Sequence, residues 1–303
     1  MKILVVSQYF WPETFRINDL VEGLVRKGHE VEVLTAKPNY PQGKFYAGYS
    51  FFSKHHESYC GAKVHRVPLV PRGSASAVRL GLNYLSFVFF GSLFVLFKPK
   101  KYDYTFTFAI SPITQILPAL LHKLLRNSKS YLWVQDLWPE SVSAASGIKN
   151  KFVIAVLGKL VKFIYKHADK VLIQSEFFEK SVLNYGCDAA KIEYLPNWAE
   201  DLYVEPMVDV NKYKHLMPDG FKVFFAGNIG ESQDFESIVK AIKLVSQIEN
   251  SIKFVIVGDG RKRTWLEQEI IKQHLQNTVF LLGKYPVEEM PHFFVHADLM
   301  LLT

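Results

Sequence analysis

Cysteine is scarce in this chain. The 303 residues include two, Cys60 and Cys187, which lie far apart and form neither a CxxC pair nor a metal-ligand spacing. They give no sign of a metal site, and reduced thiols in the cytosol are the expectation. The first apolar run, MKILVVSQYF, is too short for a secretory signal and is followed by no small-residue cleavage site. It is therefore interpreted as a first strand.

Acidic residues are outnumbered, with 29 Asp and Glu against 36 Lys and Arg, so the net charge is +7. With 49% hydrophobic residues the chain has the composition of a globular protein and not of a disordered one. A basic surface suits nucleic acid, an anionic membrane or a phosphate-bearing ligand, although it is also common in proteins that bind none of these. No helix-turn-helix, zinc-finger or RNP-like pattern is visible, so nucleic acid is not expected as a partner.

Strand and helix patterns alternate along the chain. After the first strand, apolar residues at 17, 20, 21, 24 and 25 predict a helix, and HEVEVLTA predicts the next strand. Such βαβ units predict an α/β fold with parallel sheets. Residues 1–197 are expected to form one domain, 198–220 an interdomain linker, and 221–303 a second α/β domain.

The second domain is predicted to be incomplete. It has only about four strand patterns, fewer than a Rossmann-like sheet usually contains. The last stretch, VHADLMLLT, reads as a strand that no helix pattern follows. Leu299, Leu301 and Leu302 are therefore expected to be poorly covered, and the chain is expected to be cut short, whether naturally or not.

The longest uncharged run is Leu80–Phe97, and Lys98, Lys100 and Lys101 follow it. Its 18 residues would span roughly 27 Å as a helix. Three interpretations remain open: a transmembrane span, a buried helix, and a helix docked shallowly on an anionic membrane surface, which is the favoured one.

Two glycine-rich loops each follow a strand and precede a helix. They carry Gly227, Asn228 and Gly230, and then Gly258, Asp259, Gly260 and Arg261. Glycines allow close backbone approach to a ligand, and a helix N-terminus suits phosphate. One such loop could be an ordinary turn, but two on consecutive strands favour a binding site. Neither completes GxGxxG, which disfavours a dinucleotide oxidoreductase.

The stretch LWVQDLWPES places Asp136 and Glu140 after another buried strand. Polar groups at the end of an apolar strand are placed to face a ligand cleft. An Asp before a Pro-led turn is also a common helix N-cap, so both interpretations stay open.

Several of these stretches, in this order, resemble bacterial glycosyltransferases. They are SQYFWPETFRIN, VQDLWPES, YLPNW, GNIGESQ, VGDG and LLGKYPVEEMPHFFVHADLMLL. The chain is most similar to retaining enzymes of family four with the GT-B fold, in the fucosamine-transferase-like subgroup of O-antigen, capsule and colanic acid assembly. The resemblance implies two Rossmann-like domains, with the acceptor on the first and a nucleotide sugar on the second. Attack from the leaving-group face would need no protein nucleophile.

The resemblance also assigns roles to single residues. Phe15 and Arg16 stand where many members have two glycines, Gln135 replaces a histidine, and Asn228 and Gln233 replace an Arg and a Lys on the donor diphosphate. Arg16 or Arg261 would then have to compensate for those two charges. The expected catalytic residues are Glu13, Gln135 and Asp136; the donor residues are Arg16, Gly227, Asn228, Gly230, Gln233, Gly258, Asp259, Gly260, Arg261, Lys284, Tyr285 and Pro286; the acceptor residues are Phe15, Asn39, Tyr40 and Glu140.

Partners are likewise implied by the resemblance. The donor would be a nucleotide sugar, with UDP favoured over GDP and an N-acetylated deoxyamino sugar favoured, and the acceptor a polyprenyl-diphosphate-linked glycan. Neither a metal nor another cofactor is expected, and the protein would be peripheral at the cytoplasmic face of the bacterial plasma membrane. The family's glutamate pair would come after Thr303, so a nucleotide-sugar-binding protein without turnover is the alternative. A membrane-interaction module is a third hypothesis.

Overall fold

The computed structural model describes residues 1–73, 76–142, 150–199, 201–203, 208–230 and 233–303. The chain divides into two compact units, Met1–Asn197 and Trp198–Thr303. Each unit is an α/β structure with its own sheet and core. The α/β prediction is therefore confirmed, and the second alternation does form a separate unit.

The described residues of the first unit form an eight-stranded sheet in the order β3-β4-β2-β1-β5-β6-β7-β8. The strands are β1 Lys2–Val6, β2 Glu30–Ala36, β3 His56–Tyr59, β4 Ala62–Val67, β5 Tyr104–Ala109, β6 Lys129–Val134, β7 Lys170–Ile173 and β8 Ile192–Tyr194. The α-helices are α1 Arg16–Arg26, α2 Ala77–Phe97, α3 Leu117–Arg126, α4 Lys151–His167 and α5 Phe178–Asn184, with 3-10 turns at Ile113–Ile116 and Ala189–Lys191.

All neighbouring strands of this sheet are parallel except β3, which pairs antiparallel with β4 at the edge. The connections through α2, α3, α4 and α5 all run toward β8, whereas the connection through α1 runs the other way. Because such crossovers are right-handed, α2 to α5 lie on one face of the sheet and α1 on the other. The carboxyl ends of the strands carry Gln8, Lys37, Ser111, Gln135 and Gln174 on their following loops.

Helix α2 contains the uncharged run, and only 22% of its most apolar 18-residue stretch is buried. Its inner face packs on β2, β4 and α3 through Asn83, Phe87, Gly91 and Val95. A Cβ on Gly91 would lie 2.9 Å from Cγ of Pro118, so the glycine permits the close approach to α3. The outer face leaves Val78, Leu82, Leu85, Phe89 and Leu96 exposed.

The interpretation of this run as a fully buried helix is therefore wrong. By length and composition the helix could cross a membrane, and it also packs along one side of a sheet. A contiguous exposed apolar face of this kind is typical of an interaction surface. Docking on a membrane stays a prediction.

A buried ion cluster holds the end of α2 onto the sheet. Glu32 of β2 is 2% exposed, and its carboxylate contacts Lys98 Nζ at 2.8 Å and Lys100 Nζ at 2.5 Å. Tyr102 donates its hydroxyl to the same carboxylate at 2.7 Å, and His65 Nε2 lies at 2.7 Å. Burial opposes the charge of Glu32, but these partners outweigh it and hold its pKa well below its usual range. Two of the three lysines predicted to face a membrane are therefore engaged by a carboxylate.

The described residues of the second unit form a four-stranded parallel sheet in the order β11-β10-β9-β12. Its strands are β9 Phe221–Asn228, β10 Ile252–Asp259, β11 Val279–Gly283 and β12 Leu299–Met300. Its α-helices are α6 Phe235–Ile248, α7 Arg263–Lys272 and α8 Met290–Phe294, with 3-10 turns at Asp201–Tyr203, Lys214–Leu216 and Val287–Glu289.

The predicted linker, 198–220, belongs structurally to the second unit. Tyr203, Tyr213, Leu216 and Met217 pack against a core cluster around Phe224 and Phe293. The scattered apolar residues that suggested a linker are instead core contacts of an irregular segment. Residues 200 and 204–207 of this stretch lie outside the described residues.

The last strand, β12, lies at the edge of the second sheet and pairs with β9. Leu299 is 52% exposed and Leu302 89%, as predicted, whereas Leu301 is partly buried against the core. One of the three leucines is thus better covered than the sequence indicated.

Candidate functional site

The two glycine loops of the second unit touch through their backbones. Gly227 and Gly258 are register partners at the ends of β9 and β10. A Cβ on Gly258 would lie 1.8 Å from the carbonyl oxygen of Gly227, and one on Gly260 would lie 2.2 Å from that of Ile229. Gly258 also has a φ of +151°. Glycine is therefore required by the close approach of the two loops.

Three hydrogen bonds fix this pair of loops. Ile229 N–H donates to Asp259 O at 2.9 Å, and Lys262 N–H donates to Ile229 O at 3.0 Å. The carboxylate of Asp259 accepts from the Gly260 N–H at 2.8 Å. Asp259 thus supports its own loop, and a preformed loop needs little reorganisation to receive a ligand.

Asn228, Gly230 and Gln233 lie close together at the end of β9. The Asn228 side-chain amide lies 3.5 Å from Gln233 Oε1. A Cβ on Gly230 would lie 2.3 Å from Asn228 Nδ2 and 3.1 Å from Gln233 Oε1. Neutral amides therefore line the end of β9, so positive charge for an anion must come from elsewhere.

Positive charge is concentrated where α7 begins. Arg261 is exposed, Lys262 pairs with Glu236 at 3.0 Å, and Arg263 pairs with Glu267 at 2.9 Å. No acidic residue stands in the first turn of α7. Cations oppose the helix dipole at this end, so the arrangement suits an added anion.

Arg263 was not singled out from the sequence. Its Nη1 lies 3.5 Å from the Cβ position of Gly283, the residue that ends β11 with a φ of +86°. Arg263 thus joins the second glycine loop to the end of the next strand. The sequence feature that could have identified Arg263 is the basic triplet RKR directly after VGDG.

The three residues after β11 differ in their exposure. Lys284 and Pro286 are exposed, whereas the Tyr285 ring packs edge-on against Tyr213 at 5.2 Å and Phe293 at 4.6 Å. The Tyr285 side chain is therefore a core contact. The ring is only partly buried, so its contact with a donor stays a prediction.

In the first unit, Glu13 is buried at 3% exposure in the loop after β1. Oε1 accepts from the N–H groups of Asn39 and Tyr40 at 2.8 and 2.7 Å, and Oε2 accepts from Phe10 N–H at 3.3 Å. Burial raises the pKa of Glu13 to about 7, against the lowering effect of these hydrogen bonds. Glu13 therefore ties two loops together and can change its protonation state near neutral pH.

Phe15 and Tyr40 form an aromatic cluster with Tyr9 beside Glu13. The ring centroids lie 5.5 to 5.7 Å apart. Asn39 is fully buried, and its Oδ1 accepts from Arg72 N–H at 3.1 Å. Asn39 is thus structural, whereas Tyr40, 38% exposed, can meet a ligand.

Arg16 is the first residue of α1, and its Nη1 lies 3.3 Å from Asp19 Oδ2. Its guanidinium therefore already has a carboxylate partner in the next turn. Compensation for the uncharged end of β9 by Arg16 stays a prediction.

Asp136 and Gln135 follow β6. Asp136 Oδ2 accepts from the N–H and the Oγ–H of Ser111, both at 2.9 Å, and Trp138 donates to the same hydroxyl at 3.0 Å. These contacts tie the loop after β6 to the loop after β5. They are not the helix N-cap that the sequence also allowed.

Gln135 belongs to a group of three amides that the sequence did not reveal. Asn197 donates to Oε1 of Gln135 at 2.9 Å and to Oε1 of Gln174 at 2.6 Å, and Gln174 donates to Gln135 O at 2.8 Å. Gln135 Nε2 is buried without a partner among the described residues. These residues follow β6, β7 and β8, so only the sheet order brings them together.

Glu140 is exposed and accepts a hydrogen bond from Ser181 Oγ at 2.6 Å. In the described part of the chain, no three His, Cys, Asp or Glu side chains are grouped so as to hold a metal ion. The predicted residues thus fall into separate sets on the two units, each at the carboxyl edge of its sheet, where open α/β folds bind ligands.

Comparison with known families matches both units. A model described as a glycosyl transferase 4-like domain matches residues 14–198, and one described as glycosyl transferases group 1 matches residues 209–303. A protein of Escherichia coli K12 named as a colanic acid biosynthesis glycosyl transferase, WcaI, is 28% identical over 92% of this chain and 71% of its own length. WbjE of Pseudomonas aeruginosa, named as a glycosyltransferase, is 26% identical over 61% of this chain and 48% of its own length.

Solved structures share the fold. WaaG, a glycosyltransferase involved in lipopolysaccharide biosynthesis, aligns with a TM-score of 0.67 at 12% identity over 99% of this chain and 74% of its own. HepE of Anabaena, solved with UDP and glucose, aligns with a TM-score of 0.62 at 16% identity over 99% of this chain and 73% of its own. Because one family model covers more than half of the chain, the chain belongs to the glycosyl transferase 4-like family of glycosyltransferases and has the GT-B fold.

Proposed function

We propose that the chain transfers a sugar from a UDP-sugar to a lipid-linked glycan at the cytoplasmic face of a bacterial plasma membrane, as a step in surface polysaccharide synthesis. The transferred sugar is an N-acetylated deoxyamino sugar, and its anomeric configuration is retained. The observation that carries the donor half of this proposal is the pair of touching glycine loops beside the cationic start of α7. The UDP complexes of HepE, a neighbour with the same fold, support it.

The departing nucleoside diphosphate gains negative charge in the transition state. Preorganised N–H groups and cations at the leaving oxygen stabilise that charge, and one such donor is worth about 3–4 kcal/mol. Backbone N–H groups of the two glycine loops, together with Arg261 and Arg263, would supply this stabilisation here without a metal. Arg263 takes over charge that the neutral pair of Asn228 and Gln233 does not provide.

The donor half is tested by UDP release from a panel of UDP-sugars, with and without a lipid-linked acceptor. Arg263→Gln should raise the KM for the donor about tenfold, which is the loss of one charged hydrogen bond of about 1.5 kcal/mol. Arg26→Gln, at an exposed position of α1, is the matched control and should not change it. UDP binding without any release would show a binding protein without turnover.

The acceptor half rests on the outer face of α2. Val78, Leu82, Leu85, Phe89 and Leu96 recur every three, four or seven residues and are all exposed. A stripe of this kind suits a helix lying in the interface of an anionic bilayer, with Arg79 near its start and Lys101 after its end as the basic residues that Glu32 does not engage. The relatives named for colanic acid and lipopolysaccharide synthesis support an acceptor that is held at a membrane.

Membrane docking is tested by sedimentation with vesicles of phosphatidylcholine and phosphatidylglycerol. Leu85 is 66% exposed on α2, and Leu244 is 62% exposed on α6, so the two leucines make a matched pair. Leu85→Glu should lower the partition constant about tenfold or more, because burying one leucine contributes about 1.5–3 kcal/mol. Leu244→Glu should leave it unchanged. Equal losses would contradict a docking face on α2, and resistance to alkaline washing would indicate a membrane span.

A further inference from the structure

Arg72 lies among aromatic rings, at a position that no sequence pattern singled out. Its guanidinium carbon lies 5.7 Å from the Tyr9 ring centroid and 5.0 Å from that of Tyr40. Nη1 donates to Tyr9 Oη at 2.9 Å, and the backbone N–H donates to Asn39 Oδ1 at 3.1 Å. Both the side chain and the backbone of Arg72 are therefore held in place before any ligand arrives.

The charge of Arg72 is not balanced by an acid. In the described part of the chain, Arg16, Arg66 and Arg263 each pair with a carboxylate, whereas Arg72 pairs with none. Burial raises the pKa of Tyr9, so the phenol beside Arg72 stays neutral. Glu13 lies nearby, but its two oxygens already accept three backbone N–H groups.

A partly buried guanidinium without a counter-charge favours an added anion. Taking a charge out of water is costly unless a partner of opposite sign restores the lost interaction. The planar fork of arginine matches the oxygen geometry of phosphate and can bind it through two parallel hydrogen bonds. The rings of Tyr9 and Tyr40 cover one part of the guanidinium and leave its remaining N–H groups for such a ligand.

The segment that carries Arg72 is bound to the apolar helix. Asn83 of α2 donates to Val70 O at 2.6 Å, and Ser86 Oγ accepts from Val70 N–H at 2.9 Å. Arg79, in the first turn of α2, lies 3.6 Å from the Cβ position of Gly73. The exposed apolar stripe of α2 begins at Val78, six residues after Arg72. The segment that carries the positive charge is therefore tied to the helix that carries the apolar stripe.

We propose that Arg72, with Tyr9 and Tyr40, binds the diphosphate that joins the acceptor's lipid to its glycan, while the lipid chain follows the outer face of α2. This inference rests on the proposed function, because it assigns a residue to the lipid-linked acceptor. A phosphate with an apolar tail uses every part of the site, whereas a free nucleotide would leave the apolar stripe empty.

Direct binding separates the two sources of diphosphate. Calorimetry with geranyl diphosphate, geraniol and UDP would be run on the whole chain and on Arg72→Met, Arg72→Lys and Arg26→Met. Arg72→Met should weaken geranyl diphosphate at least tenfold and change UDP by less than twofold. Arg72→Lys keeps the charge but loses the fork, so an intermediate loss is expected. Arg26→Met, at an exposed arginine of α1, should behave as the unchanged chain.

Three results would overturn the assignment. In the first, the unchanged chain binds geranyl diphosphate no more tightly than geraniol. In the second, Arg72→Met loses UDP binding and keeps geranyl diphosphate binding. In the third, Arg72→Met binds geranyl diphosphate as tightly as the unchanged chain does. The melting temperature of each variant checks that the loop still folds. If Arg72→Met is unfolded, the same comparison is made with two other variants, Arg72→Lys and Tyr40→Leu. The second of these removes one ring of the site.

Kinetics keep this inference separate from the proposed function. Arg72→Met should raise the KM for a diphosphate-linked acceptor at least tenfold, and it should not change that for the same glycan without diphosphate. Hydrolysis of the donor in the absence of acceptor should be unaffected. Failure of the unchanged chain to release UDP with any donor would refute the proposed function, and the binding measurements would still decide the role of Arg72.

Discussion

Alanine at position 258 should separate the two glycine loops. Its Cβ would lie 1.8 Å from the carbonyl oxygen of Gly227, so one loop must move by at least 1.2 Å (3.0 minus 1.8) to restore a tolerable contact. The contacting atom is backbone within a parallel strand pair, and it cannot turn away as a flexible side chain would. The φ of +151° adds strain, because side-chain-bearing residues rarely adopt it.

These two effects set the size of the change. Overpacking costs about 1–3 kcal/mol, and an unfavourable backbone conformation costs about 1–3 kcal/mol. Gly258→Ala should therefore destabilise the second unit by roughly 2–6 kcal/mol. For a domain of about 100 residues, even the lower value lowers the melting temperature by roughly 8–16 °C. UDP affinity should fall as well, because the displaced loops carry the N–H groups proposed to meet the diphosphate.

Urea or thermal unfolding of the chain, with UDP binding on the folded fraction, measures both effects. Gly23→Ala is the matched control, because Gly23 lies inside α1 and a Cβ there meets nothing within 4 Å. It should stabilise the chain by about 0.5–1 kcal/mol, since alanine is the better helix former. A Gly258→Ala variant that melts and binds UDP like the unchanged chain would refute the close approach of the loops.

Three further changes test the first unit. Burial raises the pKa of Glu13 from 4.5 to about 7, so Glu13 contributes stability below pH 4.5 that is lost as pH rises through 7. Glu13→Gln should abolish this loss, which is about 3 kcal/mol in the free energy of unfolding by urea between pH 4 and 8. An unchanged slope of that free energy against pH would contradict the prediction. The lowered pKa of Glu32 means that its stabilisation is present above pH 4.5 and is lost as pH falls. Glu32→Gln should destabilise the chain by about 2–3 kcal/mol at pH 7, which is less than for a fully buried pair because Lys98 is 29% exposed. In this variant the free energy of unfolding should fall less steeply as the pH is lowered. An unchanged slope on the acid side would count against the cluster. Asp136→Asn should lower transfer far more than Ser111→Ala, which removes one of the two hydrogen bonds to Asp136; equal losses would show that Asp136 acts only through the loop contact.

Helix α2 joins two properties that the proposed function needs in one place. Its outer face is apolar and exposed, whereas Asn83 on its inner face accepts a hydrogen bond from Gln8 Nε2 at 2.7 Å, directly after β1. The helix that would meet a membrane is therefore hydrogen-bonded to the carboxyl edge of the sheet. An acceptor held in the bilayer would reach the site along an element that is already fixed to it.

Local patterns alone determined most of the architecture. The alternation of strand and helix predicted both α/β units, and the loops GNIGESQ and VGDG marked the carboxyl ends of neighbouring strands. The apolar run after Leu80 predicted α2 almost to its bounds. These predictions hold because side-chain periodicity and glycine placement follow from backbone geometry within a few residues.

The tertiary structure decided what the side chains do. It brings Arg72 to Tyr9 and Tyr40, places the Tyr285 ring in a core, and makes the predicted linker part of the second unit. It also groups Gln135 with amides that follow two other strands. Such contacts join residues tens of positions apart, and they depend on strand order and crossover handedness, which no local pattern in a single sequence encodes.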